Sequence, residues 1–142
     1  MDYTSIYYCD LINDTLIPVK CEEHNNASAM IKGFAEESGS YSSSIRYYFE
    51  HFVIKESAPD FLEKMDAKYL KEYLGRNRRF AHKYRVYPNK AGQQYFEVQI
   101  VRLHQEEGFK VIMGYRILLL NRNGSRLSWK MLLLKLNLIV RS

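Results

Sequence analysis

Residues 80–117 read FAHKYRVYPNKAGQQYFEVQIVRLHQEEGFKVIMGYRI. Phe80, His82, Tyr84 and Val86 alternate with Ala81, Lys83, Arg85 and Tyr87. That period of two belongs to a strand with one apolar-leaning face. The run PNKAG, residues 88–92, is rich in turn formers and predicts a hairpin connection. Residues 94–104 then form a long strand, with Phe96, Val98 and Ile100 set against Glu97 and Gln99. QEEG, residues 105–108, turns the chain, and residues 109–117 make a further strand. Three such strands in a row predict an antiparallel sheet with one face in need of cover.

The N-terminal side supplies two more strands and the cover. Residues 4–11, TSIYYCDL, are β-branched and aromatic and suit a strand. Asn13 and Asp14 turn the chain, and residues 15–21 return. Pro18 has no amide hydrogen for a ladder, which puts this strand at a sheet edge or a bulge. Residues 26–36 begin at a plausible Asn26 cap and predict a helix, with Ala27, Met30, Ile31 and Phe34 on one face. ESGSYSSS, residues 37–44, reads as a polar loop running into a second helix over 42–54. Ile45, Tyr48, Phe49, Phe52 and Val53 give that helix its apolar face. Ser57 is placed to cap a short helix with Pro59 in its first turn. Asp66 is placed to cap AKYLKEYL, with Gly75 as a left-handed stop. The element order is β-β-α-α-α-β-β-β.

Four stretches in that order resemble PAS domains, above all the divergent sensory modules found upstream of bacterial GGDEF and EAL enzymes. They are IYYCDLINDTLIPVK (6–20), FVIKESAPDFLEKMDAKYLKEYL (52–74), HKYRVYPNKAGQQYFEVQIVRL (82–103) and VIMGYR (111–116). The resemblance rests on the Asp10 to Asp14 turn, on Pro59-Asp60-Phe61, on Tyr84-Arg85 and on Ile112-Met113-Gly114. It implies an α+β fold with a five-stranded antiparallel sheet, order 2-1-5-4-3, and helices across one face. It implies a sensory domain over residues 1–116, followed by a basic, leucine-rich tail over 117–142. It also implies a non-catalytic role: a cytoplasmic homodimer that binds a small ligand or a partner and regulates a linked output domain, such as one turning over cyclic di-GMP. A second likeness fails. Gly75-Arg76-Asn77-Arg78-Arg79-Phe80 is similar to the Gly-x-Asn-Cys-Arg-Phe motif of LOV flavin sensors. Arg78 stands where that family's cysteine makes its flavin adduct, and an arginine cannot form a thioether.

Composition narrows the function. The chain has 142 residues, 46% hydrophobic and 26% charged, which fits one globular domain able to bury its own core. Residues 1–70 hold 6 Lys and Arg against 12 Asp and Glu, whereas residues 71–142 hold 15 against 4. A basic half raises nucleic-acid binding, but the charge is spread along the chain and not gathered in one patch. From Arg116 onward there are six basic residues, no acid and nine leucines. The tail is a dimer-contact helix from Ser125, with Trp129, Leu132, Leu133 and Leu136 on its face, a disordered segment, or a segment in a non-native frame. Nothing approaches the 18 consecutive apolar residues of a membrane span. Cys9 and Cys21 fall on neighbouring strands, and without a signal peptide they are expected as free thiols.

The candidate site follows from the tyrosines. In PAS-like folds ligands sit between sheet and helices, where Tyr7, Tyr8, Tyr47, Tyr48, Tyr84, Tyr95 and Tyr115 are expected to gather. A tyrosine offers a broad apolar face and a hydroxyl that needs a partner. The ligand-binding set expected is His82, Tyr84, Tyr8, Tyr48, Ile100 and Met113, with His82 and Tyr84 orienting the ligand. The competing reading of the same residues is an aromatic core with no cavity. No cofactor is expected. The four histidines show no metal spacing, and CEEH (21–24) is better read as a solvated strand end. No nucleophile–base or phosphate-loop motif is present. A small cone-shaped isomerase or dehydratase would need a buried acid, for which Glu97 and Asp10 are the strand candidates.

Overall fold

A computed structural model describes residues 3–21, 26–88 and 95–118. Five strands, β1 (Ser5–Asp10), β2 (Thr15–Cys21), β3 (Arg79–Arg85), β4 (Tyr95–Arg102) and β5 (Lys110–Ile117), form one sheet of order β2-β1-β5-β4-β3. Every neighbouring pair is antiparallel. Helices α1 (Asn26–Ser38), α2 (Tyr41–His51), α3 (Phe61–Lys64) and α4 (Ala67–Leu74) cover one face. This is the order and layering that the resemblance to PAS domains implies.

Strand alternation decides what is buried. Tyr7 and Cys9 point into the core from β1, with Leu11 buried just past its end, as do Phe80 and Tyr84 from β3, Val98 and Ile100 from the middle of β4, and Val111, Met113 and Tyr115 from β5. Phe61, Met65 and Leu70 meet them from the helical layer with no exposed surface. Pro18 sits on an edge strand and beside a bulge. Ile6 pairs with Lys20 and Tyr7 with Pro18, so Val19 is the extra residue. Cys9 lies opposite Leu16 and Cys21 opposite Ser5. Four residues of strand, about 13 Å, separate those positions, so the two free thiols are not neighbours.

Several local expectations are corrected. Met30 is exposed, and α1 turns Ile31 and Ala35 to the core instead. ESGSYSSS is not a loop. Its first two residues end α1, Gly39 reverses the chain at φ +62°, Ser40 caps α2, and Tyr41 opens that helix fully buried. The Tyr41 hydroxyl donates to the Met65 carbonyl at 2.7 Å. Helix α2 stops at His51, and Val53 leaves it to bridge Val86. Ser57 caps nothing: its hydroxyl donates to the Ile54 carbonyl at 2.6 Å and accepts from the Arg85 amide at 3.0 Å. Asp66 does cap α4, accepting from the Lys68 amide. Gly75 ends α4 in right-handed geometry, φ −72°. The amides of Arg76 and Asn77 and the Asn77 side chain all reach back to the Tyr73 carbonyl, so a left-handed residue is not required.

The uncovered sheet face carries its own polar cluster. Glu97 is buried there, accepting from Arg116 Nε and Gln99 Nε2, each at 2.8 Å. The Tyr3 hydroxyl donates to Gln99 at 2.7 Å, and its ring lies across Gly114. A Cβ at position 114 would come within 2.7 Å of that ring. Strand β5 runs one residue past the expected boundary at 116, and Leu118 is buried with its amide on the Tyr95 carbonyl. The rest of the expected tail, 119–142, lies outside the described residues, as do His24 and most of the PNKAG turn.

Candidate functional site

Between the inner face of β1 and β5 and the helices α1 and α2 lies a cavity of about 90 Å³. Tyr7 from β1, Met113 and Tyr115 from β5 and Tyr48 from α2 line it, and Phe52, Tyr87 and Phe96 add further rings. Ala35 and Ser44 narrow it from the helical side. Its lining contains no Lys, Arg, His, Asp or Glu. A cavity of this size exceeds what one water needs, yet it is far below the roughly 300 Å³ at which sites for drug-sized ligands begin.

The rings meet edge to face in a chain. Tyr7 and Tyr115 are 6.0 Å apart at 89°, Tyr115 and Tyr48 5.3 Å at 65°, and Tyr48 and Tyr84 5.9 Å at 88°. Such contacts set the electropositive edge of one ring against the face of the next. The hydroxyls are unequally satisfied. Tyr48 and Tyr84 share a 2.7 Å hydrogen bond. Tyr115 donates to the Met113 sulfur at 3.4 Å, a weak acceptor. Tyr7 is paired with the Cys21 thiol alone, across a long 3.7 Å contact. Burial drives all four phenols above their ordinary pKa, and for Tyr84 and Tyr115 the neighbouring tyrosines add to the rise. The cluster is therefore neutral at physiological pH and rich in O–H donors.

The six expected ligand residues are not brought together as a set. Tyr48 and Met113 line the cavity, and Tyr84 stands behind Tyr48, joined through the hydroxyl pair. Ile100 is wholly buried but does not line the cavity. His82 lies farther along β3, between Phe61 and Phe80. Tyr8 is on the opposite face of the sheet, where its hydroxyl bonds Glu106. Strand parity is the reason: Tyr7 faces in, so Tyr8 must face out. Tyr47 stacks on Phe34 at 4.2 Å on the outer side of the helices, and Tyr95 lies under Arg85. Ser44 and Ala35 carry no signal in sequence that marks them as lining.

The other candidates have structural roles. Asp10 accepts from the amides of Ile12 and Asn13 and from the Asn13 side chain, and the Asn13 amide leads in holding its carboxyl below the usual range. Glu97 is committed to Arg116 on the far face. Neither acid reaches the cavity, which removes both carboxylates that a cone-shaped enzyme would use. Arg78 is exposed between α4 and β3. Among the described residues no group of three or more His, Cys, Asp or Glu is placed to hold a metal, and no helix is long and apolar enough to cross a membrane.

No family model and no curated protein matches the chain. Among solved structures it is similar to the PAS domain of an HTR-like protein from Haloarcula marismortui, at 17% identity and a TM-score of 0.37, over 80% of this chain and 84% of that one.

Proposed function

We propose that this chain is a non-catalytic sensory module of PAS type whose tyrosine-lined cavity takes a small molecule. The observation that carries the reading is the cavity itself, set between the two layers of the fold, with donors that the protein leaves poorly paired. A ligand there touches α2 through Tyr48 and β5 through Met113 and Tyr115. Strand β5 is the last described strand. Occupancy then biases the exit from β5, provided the ligand binds two arrangements of the layers with different affinity. The output is a linked domain in a homodimer in the cytoplasm, and an enzyme of cyclic di-GMP turnover is the first to test, on the strength of the sequence resemblance.

Native mass spectrometry of protein purified from cells tests this reading. It should show a small-molecule mass increment on the folded protein that disappears on denaturation, and a dimer peak. Bare protein mass in preparations from several host organisms would count against it.

A further inference from the structure

The cavity lining constrains what can bind. We propose that the ligand is a small uncharged hydrogen-bond acceptor with an apolar body, a short ketone, ester or lactone, held by the hydroxyls of Tyr7 and Tyr115; this rests on the cavity being a ligand site.

Charge comes first. No ionisable acid or base lines the cavity, so a carboxylate or an ammonium would enter without a counter-charge. Burying an unpaired ion costs far more than burying a neutral polar group. The aromatic faces offer a cation some compensation, and only experiment weighs that against the lost hydration. Hydrogen-bonding capacity comes next. The Tyr115 proton is spent on a thioether at 3.4 Å, and the Tyr7 oxygen receives only a thiol at 3.7 Å. An sp² oxygen between them would replace a weak sulfur partner of each hydroxyl with a strong acceptor. The site thus has donors in excess and asks for an acceptor. Size comes last. About 90 Å³ is well below the roughly 300 Å³ at which sites for drug-sized ligands begin. That favours a molecule of a few heavy atoms over one the size of a haem or a flavin.

Four probes of five heavy atoms separate these terms: 2-butanone, propionate, tetramethylammonium and 2-methylbutane. Binding to the full chain at pH 7 is read from the ring signals of Tyr7, Tyr48 and Tyr115 in NMR titrations with labelled tyrosine. 2-Butanone should move all three rings and bind at least tenfold more tightly than each of the other three. Tyr115→Phe and Tyr7→Phe, each checked for native circular dichroism, should each weaken it by up to about tenfold, the worth of one hydrogen bond. Propionate or tetramethylammonium binding as tightly would overturn the ligand class while leaving a ligand site in place. Equal binding of 2-methylbutane would show the hydroxyls to be idle and overturn it too. If no probe moves the rings, the inference falls, and the sensory reading then stands or falls separately on the retained mass increment.

Discussion

His82 is a histidine held neutral by its surroundings. Among the described residues its Nε2 has no hydrogen-bond partner; Asp60 Oδ1 is 3.8 Å away, and Oδ2 of the same carboxylate is paired with Lys64 at 3.0 Å. Burial lowers its pKa most, Asp60 opposes that, and Lys64 adds to it. The folded state therefore binds fewer protons than the unfolded state just below the ordinary histidine pKa of about 6.5, so stability falls as pH drops through that window. Denaturation midpoints of the wild type should decline between pH 7.5 and 5, and those of His82→Gln should decline less. Parallel curves would assign the pH dependence elsewhere. The lowered carboxylates, Asp10, Asp14 and Asp60, lose their contribution only below about pH 5, which keeps the two effects apart. At this scale the sequence was legible wherever parity was applied. The inward row Phe80, His82, Tyr84 and Val86 is visible in a simple alternation. The same rule applied to Tyr7 and Tyr8 excludes one of them from the cavity. What parity does not reveal is which inward tyrosine finds a poor partner, because that depends on a methionine and a cysteine packed beside it.

Helix α2 depends on a residue outside it. Asp14, in the β1–β2 turn, accepts from the Ser42 amide at 2.8 Å and from the hydroxyls of Ser40 and Ser42 at 2.8 and 2.7 Å. It does so with φ at 56°, a conformation that Asp and Asn tolerate better than other side chains. Burial pushes its pKa up, but these bonds outweigh that and hold it low. Asp14→Ala should destabilise the fold by about 2 kcal/mol, roughly 1 from the lost cap and roughly 1 from the left-handed backbone. Asp14→Asn should cost less than half as much in chemical denaturation, since it keeps an acceptor and the tolerance for that φ. Equal losses would show that Asp14 does not anchor α2. This link explains why residues 37–44 mislead. Their serines have weak helix propensity, and the Ser40 cap and first turn are held by an aspartate more than 25 residues earlier. Caps near in sequence, such as Asp66 on α4, were readable. Gly75 was readable as a stop but not in its handedness, since the Tyr73 carbonyl gathers the amides that follow.

The whole molecule is two layers that do not quite close. The list of elements follows from periodicity, whereas the strand order β2-β1-β5-β4-β3 was reachable only through the family resemblance, because period-two strands do not say which of them are neighbours. The cavity was not legible at all. It is what remains when the side chains of α1 and α2 meet those of β1 and β5, and twelve tyrosines are equally compatible with a filled core. Everything proposed for function depends on that space being there. Xenon, which enters small cavities of largely apolar lining, tests it without knowing the ligand. A crystal of the full chain under xenon pressure should show an anomalous peak ringed by Tyr7, Tyr48 and Tyr115. Tyrosine rings closed over the site, with no xenon between the sheet and α2, would contradict the account.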